Sequence, residues 1–300
     1  MTISQYSLTT RVVALCKFSG VNPRLCEFLF NYFNQIEDLL SAGTATLMKI
    51  DGMTRETADN IARTARHLEA AENYIAELKK RDIHIITRFD SEYSPLLFEL
   101  NNPPSVLYVR GHLPDINRKT VALVGASEPT NEGIEMTTRL ARIFTDKKVQ
   151  VISSLSGGID YAAHLGCKTS GGISFAVIDA GFDSLTVDDS MPVAIDIVQK
   201  GGLISEYPPE EKPAQDNYLE TNRILVGLSQ AVVVTELYHD SLYTLDLLKF
   251  CSMIGKLAFL PIDPELGAFA DETSLNLAVE YGVIPMVGYD KVDDIIKALV

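Results

Sequence analysis

The 300-residue sequence has no run of about 18 consecutive apolar residues, which excludes a membrane-spanning helix. Its opening stretch, Met1-Thr2-Ile3-Ser4-Gln5-Tyr6, has neither the basic nor the apolar region of a signal peptide, so a cytoplasmic location is expected. Cysteine is scarce. Cys16, Cys26, Cys167 and Cys251 show no CxxC spacing, and scattered thiols fit a reducing compartment better than a disulfide framework. The histidines form no HxxxH or HExxH pair, so neither a metal site nor a metal cofactor is expected. There is no internal repeat and no low-complexity segment. Positive charge is also short: 26 Lys and Arg face 40 Asp and Glu, a net of −14. Residues 1–110 carry 12 basic and 13 acidic side chains, and the remainder carries 14 and 27. So acidic a region repels a polyanion at long range, and any nucleic-acid contact within it has to be local.

What is present is ordinary globular material, 46% apolar and 22% charged, with a length that suits two domains. The first segment reads as helical. Val12, Val13, Leu15, Leu25, Phe28, Leu29, Tyr32, Phe33, Ile36, Leu39 and Leu40 recur at helical spacing, with Gly20 and Pro23 as punctuation. Two further helices are expected around residues 45–50 and 57–78. Ile83–Thr87 and Val106–Val109 read as short strands, and 111–119 as a linker.

From Thr120 onward strands and helices alternate. Val121–Val124, Val149–Ile152, Ile173–Ile178, Leu203-Ile204, Ala231–Val234 and Leu257–Leu260 are continuous apolar runs, the pattern of parallel strands buried on both faces. The helical stretches 135–144, 161–168, 193–199, 242–253 and 274–280 lie between or after them. The fold class is α/β: a doubly wound, Rossmann-like parallel sheet with a small helical N-terminal domain. The expected boundaries are 1–80 and 81–300, and a C-terminal amphipathic helix over 292–299 is expected to pack on the sheet.

Ligands of such sheets bind where loops leave the carboxyl ends of strands for helix N-termini. Three loops qualify. Gly125-Ala126-Ser127 follows the first strand of the sheet and is not GxGxxG, so a dinucleotide reading has weak support. Ser153-Ser154-Leu155-Ser156-Gly157-Gly158-Ile159-Asp160 places adjacent glycines, three hydroxyls and a helix dipole together, a composition suited to phosphate. A tight turn that needs glycine only for its dihedrals would read the same way. Ser205-Glu206-Tyr207-Pro208 leads to Thr221-Asn222-Arg223, where Arg223, placed near a helix start, either meets a phosphate or forms a surface salt bridge. The expected phosphate contacts are Gly125, Ser127, Ser154, Ser156, Gly157, Gly158, Asn222 and Arg223. Asp160, His164 and Glu206 are expected to orient the loops. Catalytic residues are not expected, and the Pro-Gly-Gly-x-Gly-Thr loop of a cytokinin-riboside-type nucleotide hydrolase is missing from 235–244.

Taken together, Val124-Gly125, Ser153–Asp160 with Ala163-His164, Ser205–Pro208, Asn222-Arg223-Ile224 and Gly227-Leu228-Ser229 resemble the DNA-processing protein A (DprA/Smf) family in order and spacing. Tyr93–Leu97 and Pro103–Gly111 resemble the segments that precede that family's Rossmann-like domain. Ile50-Asp51-Gly52-Met53-Thr54 resembles a helix-hairpin-helix turn of the SAM-like kind, with Thr54 where a second glycine is usual. A packed helical bundle without DNA contact is the other reading of that turn. The resemblance implies a non-enzymatic homodimer that binds single-stranded DNA and loads a RecA-type recombinase during DNA uptake and natural transformation. The sequence departs from the family at three arginines: Gly125-Ala126-Ser127 stands for Gly-Ser-Arg, Ser156-Gly157 for Ala-Arg, and Thr221-Asn222-Arg223 for Arg-Asn-Arg. Fewer cations mean fewer phosphate contacts. The alternative function is therefore a nucleotide- or small phosphorylated-ligand-sensing module that has lost strong DNA binding.

Overall fold

The computed structural model describes residues 3–185, 191–214, 217–238, 241–265 and 267–299, without the side chains of Met191 and Asp290. The chain divides into two units, 1–93 with 101–109, and 94–100 with 110–300.

In the first unit, α1 (Leu8–Val13) continues as a π-helical turn to Phe18, followed by α2 (Pro23–Tyr32), α3 (Ile36–Ser41), α4 (Thr44–Leu47), α5 (Arg55–Ala62) and α6 (Leu68–Lys80). Polar residues start these helices where the sequence supplies them. Ser7, Asn22 and Thr54 each accept a backbone N–H three residues on, which satisfies an otherwise unpaired donor. Gly52, with φ +78°, makes the turn between α4 and α5. Strands β1 (His84–Thr87) and β2 (Val106–Gly111) pair antiparallel, with Ile85 opposite Tyr108. Ile85 packs against a cluster of Tyr6, Val13, Ala14, Leu68 and Ala71, so the strand pair is part of the helical unit.

The second unit holds β3 (Thr120–Val124), α7 (Asn131–Asp146), β4 (Gln150–Ser153), α8 (Gly158–Thr169), β5 (Ser174–Val177), α9 (Met191–Lys200) and β6 (Gly202–Ser205). It continues with α10 (Asn217–Gly227), β7 (Ala231–Val234), α11 (Leu242–Ile254), β8 (Leu257–Ile262), α12 (Glu272–Glu280), β9 (Ile284–Val287) and α13 (Val292–Ala298). Its seven strands are parallel, in the order β6-β5-β4-β3-β7-β8-β9. Val121, Val233 and Phe144 are fully buried in the main cluster, and Val292, Ile295 and Leu299 close over it, so the C-terminal helix does pack on the sheet.

The order reverses direction at β3, whose neighbours are β4 on one side and β7 on the other. Strand β9 lies outside the sequence reading. Arg223 is also placed differently: it is the seventh residue of α10, on a stretch from Thr221 to Gly227 that is buried throughout, rather than near a helix start.

Candidate functional site

The loop from β4 into α8 is organised by its own hydroxyls. Ser153 Oγ donates to Leu123 O at 2.5 Å. Ser154 Oγ donates to Asp160 Oδ2, lies 2.7 Å from Ser156 Oγ, and accepts the Ser156 N–H at 3.0 Å. Asp160 is buried, and burial pushes its carboxyl up to about 6 against the pull of the Ser154 and Ser153 hydroxyls and of the Gly125 and Ser154 N–H groups. One helical turn on, His164 Nε2 lies 2.8 Å from Ser154 O. A carbonyl can only accept, so Nε2 carries the proton and Nδ1 accepts from Ser174 Oγ at 3.0 Å. Burial pushes His164 down to about 4, which keeps the ring neutral. Asp160 and His164 thus both hold Ser154, one through its hydroxyl and one through its carbonyl.

The two glycines do different things. Gly157 has φ +95° and ψ −166°, a conformation nearly reserved for glycine, and a side chain there would meet open space. It precedes α8 without a side-chain cap, and among the described residues the N–H groups of Gly157 and Gly158 donate to no other atom. Gly158, with φ +54°, is pressed against the carbonyls of Ala126 and Ser127. A valine at 158 would therefore break the loop packing.

The loop after β3 is closed by the protein itself. The Ala126 N–H donates to Glu236 O and the Ile159 N–H to Ala126 O, both at 3.0 Å. Gly125 allows close approach, because a Cβ there would lie 2.8 Å from Ile159 and 2.9 Å from Glu236 O. The fully buried Glu236 carboxylate accepts the Thr130 N–H at 2.9 and 3.1 Å, at the N-cap of α7, and the Tyr238 hydroxyl at 2.7 Å. An internal carboxylate therefore takes the place at the α7 terminus that the dipole would offer an external anion. Nothing in a lone acidic residue after β7 marks that role in sequence.

Arg223 is spent on carboxylates. Its Nη2 binds Glu206 Oε2 and its Nε binds Glu220 Oε2 at 2.7 Å, with the guanidinium side chain only 6% exposed. Glu206 is pushed up to about 7 by burial, with Arg223 drawing it down and Glu220 adding to the rise. The pair is buried, so of the two readings open in the sequence the structure shows an ion pair, inside the unit instead of on its surface. Asn222 donates from Nδ2 to Tyr243 O at 3.1 Å and fixes the start of α11.

Beside the loop lies a cavity of about 250 Å³ at the carboxyl ends of β4 and β5. Ser154 and Ser156 line it; Gly125, Ser127, Gly157, Gly158, Asn222 and Arg223 do not. Asp179, Ser184, Thr221 and Tyr243, which the sequence did not single out as contacts, are its other polar lining residues. No lysine or arginine lines it among the described residues. The described residues also hold no group of three or more His, Cys, Asp or Glu suited to a metal.

The sequence profile of the DNA recombination-mediator protein A family matches residues 84–247, over half the chain. The chain belongs to that family. A SAM-like helix-hairpin-helix tandem profile matches residues 12–67 of this family member. It is 29% identical to Protein Smf of Synechocystis over 228 residues, which cover 75% of this chain and 57% of that protein. The chain thus spans little more than half the length of that relative. In structure, it matches the X-ray structure of DNA processing protein A from Streptococcus pneumoniae with a TM-score of 0.77 at 21% identity, covering 96% of this chain and 98% of that one. It matches DNA processing protein A from Helicobacter pylori, reported with its single-stranded DNA binding mode, at a TM-score of 0.61 and 19% identity, over 73% and 97% of the two chains. These likenesses establish the recombination-mediator fold of this chain.

Proposed function

We propose that this chain is a non-enzymatic recombination mediator that binds single-stranded DNA, with backbone phosphate held at the start of α8. The observation that carries this reading is the pair of N–H groups at Gly157 and Gly158, without partners among the described residues, next to open space at Gly157. Two such donors at the positive end of a helix hold an anion without side-chain charge. Ser156 stands beside them, and Asp160 and His164 keep the loop in place from below. His164 is engaged through Nε2 with the loop and through Nδ1 with Ser174 of β5, and Asp160 accepts from the Ser154 hydroxyl, which supports a positioning role over a catalytic one.

The family membership supports the rest of the reading: a cytoplasmic homodimer that receives incoming strands during transformation and passes them to a RecA-type recombinase. Among the described residues no helix is long and apolar enough to cross a membrane. On α11, Leu242 and Met253 are 66% and 71% exposed and offer apolar surface to a second copy. A second reading, a sensor of one nucleotide or another small phosphorylated ligand, is favoured by the size of the 250 Å³ cavity beside the α8 start, which suits a single base better than a strand.

Competition separates the two. A fluorescent mixed-sequence 20-mer is bound and then challenged with unlabelled 20-mer, dinucleotides and mononucleotides. The mediator reading expects the strand to compete far better than the mononucleotides. Equal competition, or no strand binding, overturns it.

A further inference from the structure

The cavity beside the loop carries charge of the wrong sign for phosphate. Its only charged lining residue among the described ones is Asp179, a half-buried carboxylate with no ion-pair partner among those residues. Thr221, 2% exposed, belongs to the same wall, with its Oγ1 buried behind the surface. Leu155 and Ile178 supply apolar wall, and Ser154, Ser156 and Ser184 are its small polar residues. The volume is below the roughly 300–1,000 Å³ of pockets that take a whole drug-sized ligand. It suits one planar heterocycle.

We propose that this cavity receives a guanine base, with the Asp179 carboxylate accepting from its N1–H and N2 amino group. The proposal rests on the single-strand reading above and adds base selection to it. A carboxylate is an acceptor with two oxygens, and guanine alone among the four bases presents two adjacent N–H donors on its pairing edge. Adenine and cytosine set a ring-nitrogen acceptor beside their amino group, and thymine has one N–H between two carbonyls. Each brings a lone pair against Asp179. The apolar wall of Leu155 and Ile178 lies along the base.

The test needs no mutation to begin. Two fluorescent 12-mers are titrated into the full chain, one with deoxyguanosine at every third position and one with deoxyinosine there, which lacks only the N2 amino group. The guanine strand should bind about tenfold more tightly or better, the usual effect of one hydrogen bond to a charged group. In Asp179→Asn the two strands should bind alike, whereas Thr221→Val, which leaves the carboxylate in place, should keep the guanine–inosine ratio. Equal binding of the two strands by the parent overturns the base pocket and leaves the single-strand reading standing. If no strand binds, that reading falls, and dGMP is titrated against dAMP. Selective dGMP binding then supports the pocket for a free nucleotide, and its absence overturns the pocket too.

Discussion

Arg223 and Glu206 face each other inside the parallel-sheet unit, both more than nine-tenths buried, with Glu220 closing on the guanidinium from one turn earlier in α10. A buried pair of this kind makes little net contribution beyond an apolar replacement, yet loss of one member strands the other.

Arg223→Ala should therefore act on stability before it acts on binding. Urea unfolding at pH 8 should show a loss of about 3–5 kcal/mol. At pH 5 the loss should be smaller, because the raised carboxyl of Glu206 then takes a proton. Arg223→Met with Glu206→Leu should recover much of the loss. A variant as stable as the parent that binds oligonucleotide poorly would instead make Arg223 a direct ligand contact.

Asp160 and His164 should give opposed pH dependences. Asp160 is raised from 3.8 to about 6, so the unfolded chain loses this proton first and stability falls as pH climbs from about 4 to 6. His164 is lowered from 6.5 to about 4, so the unfolded chain takes up the proton first and stability falls as pH drops through that window. The two largely cancel in the parent. Relative to it, His164→Gln should lose stability towards pH 6.5 and Asp160→Asn should gain it, by up to about 3 kcal/mol each across the window. Melting curves from pH 4 to 7 that stay parallel for all three proteins would refute the assignment.

Gly157 and Gly158 should separate by substitution. Gly158→Ala forces a Cβ against the Ala126 and Ser127 carbonyls and should lower the melting temperature markedly. Gly157→Ala meets open space and should cost only about 1–3 kcal/mol of backbone strain, while its methyl group crowds the two N–H donors. Circular dichroism melts with oligonucleotide titration distinguish a folding effect from a binding effect.

How legible all this was differs from element to element. Parallel strands such as β7 are buried on both faces, so Ala231–Val234 reads as an unbroken apolar run and could hardly be missed. The strand β9 was missed because Ile284-Pro285-Met286-Val287 contains a proline and buries only Met286. The loop from β4 into α8 was visible from its glycines and serines. Its division of labour was not, since Gly157 and Gly158 are identical in sequence and differ only in what lies above each Cα. Glu236 acts on Thr130 across 106 residues, and Arg223 finds Glu206 across 17, contacts that no local pattern encodes.

The proposed boundary at residue 80 has a specific consequence. Ile85 of β1 packs on the helical cluster around Val13 and Leu68, so a protein comprising 81–300 leaves that face uncovered. It should keep the cooperative unfolding of the sheet unit and bind the dye ANS, which the full chain should not. Loss of cooperative unfolding in the truncated protein would show that the sheet unit needs the helices.

The most direct test of the account is the salt dependence of strand binding. A phosphate held by N–H groups without lysine or arginine releases few counterions, so log K for a mixed-sequence single strand should fall with log salt at a slope of about −1 or shallower. Gly157→Ala should weaken binding about tenfold at both 50 and 200 mM salt, the effect of losing a hydrogen bond to a charged group. A steep slope, near −4, would place the strand on a basic surface elsewhere, and unchanged binding by Gly157→Ala would contradict the site outright.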